Sequence, residues 1–180
     1  PDSGTVRIFG TPMETQKDFV PIRSRIGLLF QDSDDQLFCP TVLDDVAFGP
    51  LNLGQSRAAA MDTARNTLDS LGILEFEDKI THQLSGGQKR LVALAAVLAM
   101  SPEMLLLDEP TAGLDTHVQK KLIHILTHIE IPYFVISHEF DFVHSVTDRI
   151  FSMENGRILT DDDIHIHKHE HMHKHGKQPH

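Results

Sequence analysis

The chain has 180 residues, 40% of them apolar, which is enough for one sizeable core. Its 26 Asp and Glu against 16 Lys and Arg give a formal net charge of -10. That balance argues against a general nucleic-acid surface, because phosphate binding needs clustered Lys and Arg. Cys39 is the single cysteine, which excludes an internal disulfide and fits a reducing cytosol. The longest apolar run, residues 91–100, falls well short of the roughly 20 residues that a spanning helix needs. The opening residues do not combine a basic stretch with an apolar run, so nothing in them reads as a signal peptide.

The start, Pro-Asp-Ser-Gly, lacks Met and is turn-like, and it reads as a cut beginning rather than a natural N-terminus. Residues 5–9 alternate as a short strand. Residues 25–30, Arg-Ile-Gly-Leu-Leu-Phe, form a more buried one. Residues 56–71 predict a helix, with Ser56 as cap, Ala, Met and Leu at helical spacing, and Gly72 at its end. Ser85 caps a further helix to about Met100, which Ser101-Pro102 terminates. Residues 104–107 are a continuous apolar run, the pattern of a strand buried on both faces. Residues 117–129 read as an amphipathic helix, and residues 133–137 as a buried strand entering a helix at His138-Glu139. Residues 149–153 and 157–160 predict a hairpin about Glu154-Asn155-Gly156. Strand and helix alternate over residues 90–150, so the expected class is α/β with parallel strands. Residues 40–88 read as a helical insert within a domain over 1–160. After Thr160 the composition turns to Asp and alternating His, with too few apolar residues for a core, and residues 161–180 are expected to be a disordered His-rich tail.

Two motifs carry chemistry. Leu84-Ser85-Gly86-Gly87-Gln88 sits at a predicted helix start, where free N–H groups and the helix dipole favour an anion. The glycines let a phosphate approach the backbone; an ordinary glycine-rich cap is the plainer reading of the same residues. About twenty positions later Leu105-Leu106-Leu107-Asp108-Glu109-Pro110 ends an apolar strand in two carboxylates. Ligands of open α/β sheets bind beyond such strand ends. There one carboxylate can hold Mg²⁺ while the other polarises water. Gln31 ends the strand over residues 26–30 and could reach a metal or water. His138 follows the strand over 133–137 and could bond a phosphate. No Gly-x-x-x-x-Gly-Lys-Ser/Thr loop occurs in these residues.

His165, His167, His169, His171, His173 and His175 alternate strictly. Extended chain would put all six on one side, and imidazole suits Ni²⁺, Co²⁺, Zn²⁺ and Cu²⁺. A solvated polar tail and a purification tag are the competing readings, though the interspersed Lys, Glu and Met fit a plain tag less well.

These motifs, in this order, resemble the ATP-binding subunits of ABC transporters over about residues 1–160. Residues 84–88 are similar to the signature motif and residues 105–110 to the Walker B strand. Ala112-Gly113-Leu114-Asp115 resembles the D-loop, Gln31 the Q-loop glutamine and His138 the switch histidine. Residues 30–38 and 41–50 resemble the energy-coupling-factor group, and its cobalt and nickel importers in particular. The resemblance implies a P-loop NTPase-like core that uses ATP and Mg²⁺. Two such subunits would meet head to tail around two ATP molecules, at the cytoplasmic face of a membrane, peripheral to integral membrane transport subunits. It further implies Glu109 as catalytic carboxylate, His138 at the γ-phosphate, and Asp108 and Gln31 at Mg²⁺. Ser85, Gly86, Gly87 and Gln88 would receive the phosphate of ATP held by the opposite subunit, and Asp115 would cross the interface. In the family the Walker A loop and its helix precede residues like 1–6. The expectation is therefore that this chain lacks Walker A, and that as given it binds ATP poorly and does not hydrolyse it. Two rivals are an ABC-type ATPase that never touches a membrane and a metal-buffering remnant.

Overall fold

The computed structural model describes residues 3–159. The chain divides into two compact units, Pro1–Val146 and Thr147–His180. The first begins with an antiparallel pair, β1 (Arg7–Ile8) and β2 (Thr11–Pro12). This is shorter than the strand expected over residues 5–9, because Phe9 and Gly10 take positive φ values of 48° and 79° and reverse the chain. Then come β3 (Ile26–Leu29), α1 (Val42–Asn52) and α2 (Arg57–Ser70). Thr41 and Ser56 cap these helices by accepting from the N–H groups of Asp44 and Ala59. The order continues with α3 (Gly86–Leu98), β4 (Met104–Asp108), α4 (Thr116–His128), β5 (Tyr133–Ile136) and α5 (Phe140–Val146).

The three longer strands form one parallel sheet in the order β3-β4-β5. Its register sets Leu29, Leu107 and Val135 side by side on the inner face. Leu29, Leu105 and Leu107 are buried there beneath α3 and α4. Gly27 makes the approach of α3 possible: a Cβ on it would lie 2.3 Å from Val97 Cγ1 and 2.8 Å from Leu105 Cδ2. Helix α3 is therefore central, with Leu91, Val92, Ala93, Leu94, Ala95 and Val97 all buried. Helices α1 and α2 pack on it and on each other, so residues 40–88 share the core of this unit.

One expectation is corrected. Leu106, on the outer face of β4, is half-buried rather than buried, and its neighbours on β3 and β5 are more open. Leu28, Phe134 and Ile136 on the outer face are 39%, 60% and 66% exposed. An apolar run records that a strand is hydrophobic, not how many of its faces find a partner.

The second unit holds the antiparallel hairpin β6 (Ser152–Glu154) and β7 (Arg157–Leu159). Asn155 and Gly156, at φ 49° and 75°, supply the expected turn. Thr160 and the His-rich tail, with His165, His167, His169, His171, His173 and His175, lie outside the described residues.

Candidate functional site

Strand β4 delivers Asp108 and Glu109 to the carboxyl end of the sheet. Glu109 leaves the strand at φ 43°, a left-handed conformation that costs a non-glycine residue of order 1–3 kcal/mol. Two contacts hold it there. Its N–H donates to the Ile136 carbonyl at 2.8 Å, and its Oε1 lies 2.9 Å from His138 Nδ1. The second oxygen, Oε2, is buried with no hydrogen-bond partner among the described residues. His138 is exposed. Its hydrogen bond to Glu109 raises the imidazole above the ordinary range, and the charges of Glu109 and Glu139 add to this against a small opposing effect of burial.

Beside this pair lies a cleft of about 880 Å³, lined by Gln31, Gly86 and Asp108 together with Asp32, Asp34, Lys89 and Arg90. The structure thus brings Gln31, Gly86 and Asp108 to one cleft and pairs Glu109, the residue after Asp108, with His138. The two cationic side chains of this lining are already engaged. Lys89 binds Asp34 at 2.5 Å, and Arg90 donates to the carbonyls of Phe30 and Gln31. The lining carboxylates outnumber them.

At the start of α3, Ser85 and Gln88 form a capping box. Gln88 N–H donates to Ser85 Oγ at 3.3 Å, and Gln88 Oε1 accepts from Ser85 N–H at 3.0 Å. Both side chains therefore organise the turn itself. The first N–H groups of the helix, from Gly86 and Gly87, have no intrahelical acceptor. The two glycines differ. A Cβ on Gly86 would meet nothing within 4 Å, whereas one on Gly87 would lie 2.9 Å from Val118 Cγ2. Space is open beside Gly86, while the space beside Gly87 is filled by Val118 of α4. Asp115 is occupied as the cap of α4, its Oδ1 accepting from the N–H groups of His117 at 2.8 Å and Val118 at 3.0 Å.

The sequence reading missed three buried polar residues near these motifs. Arg90 is 4% exposed, and its Nε has no partner among the described residues. Burial lowers its guanidinium pKa, and Asp32 acts the other way. Asp45 gathers N–H donors from Phe38 and Cys39 and the Thr81 hydroxyl at 2.8–2.9 Å. Thr111, 2% exposed, has no partner for its hydroxyl among the described residues. Arg90 directly follows Gln88 and Lys89 in the polar first turn of α3, so the sequence carries no signal for its burial, nor for that of Asp45 and Thr111.

Asp108 and Gln31 supply the hard oxygen donors that Mg²⁺ prefers. Among the described residues no group of three or more His, Cys, Asp or Glu is placed to hold a metal alone. Mg²⁺ takes one or two protein carboxylates and completes its shell with substrate phosphate and water. The unpartnered Glu109 Oε2 is the acceptor such a site would leave for water.

Among the described residues no helix is long and apolar enough to cross a membrane. Residues 1–112 match the ABC transporter family. The chain is 45% identical over 165 residues to the cobalt import ATP-binding protein CbiO of Rhodobacter capsulatus, covering 89% of this chain and 59% of that one. It is 42% identical over 163 residues to the energy-coupling factor transporter ATP-binding protein EcfA of Methanocaldococcus jannaschii, covering 88% and 58%. It thus spans about three fifths of the length of these curated relatives. The solved structure of cbiO1 from Clostridium perfringens, part of the ABC transporter complex cbiONQ, superposes with a TM-score of 0.77 at 38% identity, covering 89% of this chain and 66% of that one. A parallel sheet ending in Asp108-Glu109, a capped glycine turn opening the central helix, and these matches agree: the chain belongs to the ABC transporter family, as an ATP-binding domain with the mixed α/β ABC ATPase fold.

Proposed function

We propose that the protein hydrolyses ATP to drive an importer of the energy-coupling-factor group, with cobalt or nickel ions as cargo. The Glu109–His138 pair carries this reading. A strained glutamate at a strand end, with one oxygen bonded to an imidazole and the other buried and free to accept, is suited to orient a water. His138, kept proton-rich by Glu109, donates to the γ-phosphate. Asp108 and Gln31 hold Mg²⁺, which when bound neutralises charge on the phosphate oxygens. The N–H groups of Gly86 and Gly87, in the turn that Ser85 and Gln88 brace, receive the phosphate of an ATP held by a second ATP-binding subunit, and Asp115 lies at that interface. Integral membrane subunits are the other partners, so the protein works at the cytoplasmic face of the membrane, peripherally.

The names of the Rhodobacter and Methanocaldococcus relatives support the cargo and the group. The alternating histidines of the tail, a candidate Ni²⁺ or Co²⁺ ligand set, support a transition metal over a vitamin. Residues 1–160 act as the ATPase domain, with 40–88 as its helical part and 161–180 as the tail. The test is metal uptake by vesicles holding the natural gene product with its membrane partners. ATP-dependent ⁵⁷Co²⁺ or ⁶³Ni²⁺ accumulation that Glu109→Gln abolishes is the expected result. ATP turnover without accumulation of either ion overturns the cargo, and absence of ATP turnover overturns the whole reading.

A further inference from the structure

Arg90 lies one turn into α3, buried beside Leu91 and Val92. Desolvating a guanidinium is costly, so its place in the core needs a compensating interaction. It finds one in two consecutive carbonyls, Phe30 and Gln31, which accept from its two terminal nitrogens. A planar fork suits two oxygens one residue apart, and a lysine ammonium has no equivalent geometry. The preceding residue, Lys89, grips Asp34 at 2.5 Å. Two adjacent side chains of α3 therefore fasten both ends of residues 30–34. Among the described residues the other hydrogen bonds of that segment run within it or to Gln36, which itself reaches back to β3. Gln36 accepts from Phe30 N–H and donates to the Leu28 carbonyl, both at 2.9 Å, and Asp32 accepts from Asp34 N–H at 2.9 Å. None of these ties the segment to α3. Yet α3 is the helix that opens with the capped turn Ser85–Gln88, and Gln31 and Gly86 face one cleft.

We propose that Arg90 is a positioning residue for Gln31: its fork joins the loop that carries Gln31 to the helix that carries the Ser85–Gln88 turn, so that the two hold a fixed spacing across the cleft and move together. Lys89 assists from the exposed side. This deepens the proposed function and rests on reading Gln31 and Ser85–Gln88 as parts of the ATPase site.

The experiment is amide hydrogen exchange on the natural gene product and on Arg90→Lys and Arg90→Met, with ATP turnover measured on the same samples. Arg90→Lys keeps charge and stem but loses the fork. It is expected to speed exchange over residues 30–36 by about tenfold or more while leaving β4 and α4 within about twofold. It is also expected to lower kcat about tenfold with KM for ATP within about threefold, the pattern of a lost reacting geometry rather than lost binding. Unchanged exchange over residues 30–36 in Arg90→Lys overturns the proposal, as does an equal rise in β4 and α4. Failure of both variants to fold, judged by circular dichroism, assigns Arg90 to core stability and overturns it too. If the unsubstituted protein turns over no ATP, the ATPase reading falls, while the exchange pattern still decides whether Arg90 joins loop to helix.

Discussion

His138 Nδ1 reaches Glu109 Oε1 at 2.9 Å because β4 and β5 are neighbours in a parallel register that pairs Asp108 with Ile136. Each residue stands just past that last rung, so two side chains 29 positions apart leave the sheet at the same end. The Glu109 N–H closes the arrangement on the Ile136 carbonyl.

Glu109→Gln preserves the size and the bond to His138 but removes the charge that can take a proton. In the natural gene product it is expected to lower ATP turnover by about 10²–10³-fold, the usual scale for a lost general base. ATP binding should survive, and two copies should stay associated. Phosphate release and light scattering measure both effects; unchanged turnover would count against Glu109 as the reacting carboxylate.

His138 titrates above the ordinary imidazole value of about 6.5 because its protonated form is bonded to Glu109. A group whose folded value is raised contributes stability that is complete below the unfolded value and fades as pH rises through the folded one. The contact is therefore strongest on the acid side of neutrality. Solvent around the exposed ring limits its size. NMR titration of the His138 ring should give a midpoint above about 6.5 that returns toward this value in Glu109→Gln. A midpoint that does not move in the variant would remove Glu109 as the cause.

Gly86 and Gly87 are adjacent but should respond differently. Gly87→Ala pushes a methyl to 2.9 Å from Val118 Cγ2 and is expected to cost about 1–3 kcal/mol. Gly86→Ala, with open space beside it, should leave stability within about 0.5 kcal/mol. Thermal unfolding should show the loss at Gly87, and Val118→Ala in the same chain should recover part of it. Equal melting of the two variants would contradict the packing of α3 on α4.

Asp45 is buried and bonds two backbone N–H groups and the Thr81 hydroxyl. Asp45→Ala leaves those donors without their acceptor and is expected to destabilise by about 2–3 kcal/mol in urea unfolding. The same carboxylate faces Cys39. Burial first, and then the Asp45 charge, push the Cys39 thiol up to about 11. Its thiolate fraction at neutral pH is therefore very small, and alkylation at pH 8 should be slow. Asp45→Asn should speed alkylation modestly, because burial, the larger cause, remains. Alkylation at the rate of a free thiol in the unsubstituted chain would refute the shift.

The sequence alone determined the local elements and the chemical inventory. Ser56, Gly72 and Ser85 marked helix ends because capping and chain reversal are decided within a few residues. The runs over residues 25–30, 104–107 and 133–137 announced strands, and the order of the motifs announced the family. Only the tertiary structure decided which groups meet. It set Glu109 against His138, placed Gln31 with Gly86 and Asp108 around a cleft, and gave the space beside Gly87 to Val118. It left Leu28, Phe134 and Ile136 of the sheet's outer face exposed and put Arg90 on the Gln31 loop, 59 residues away in the chain. Caps and periodicity are short-range properties that neighbouring residues settle by themselves. Contacts between distant segments depend on sheet register and helix packing, which arise from the whole core and have no local signature.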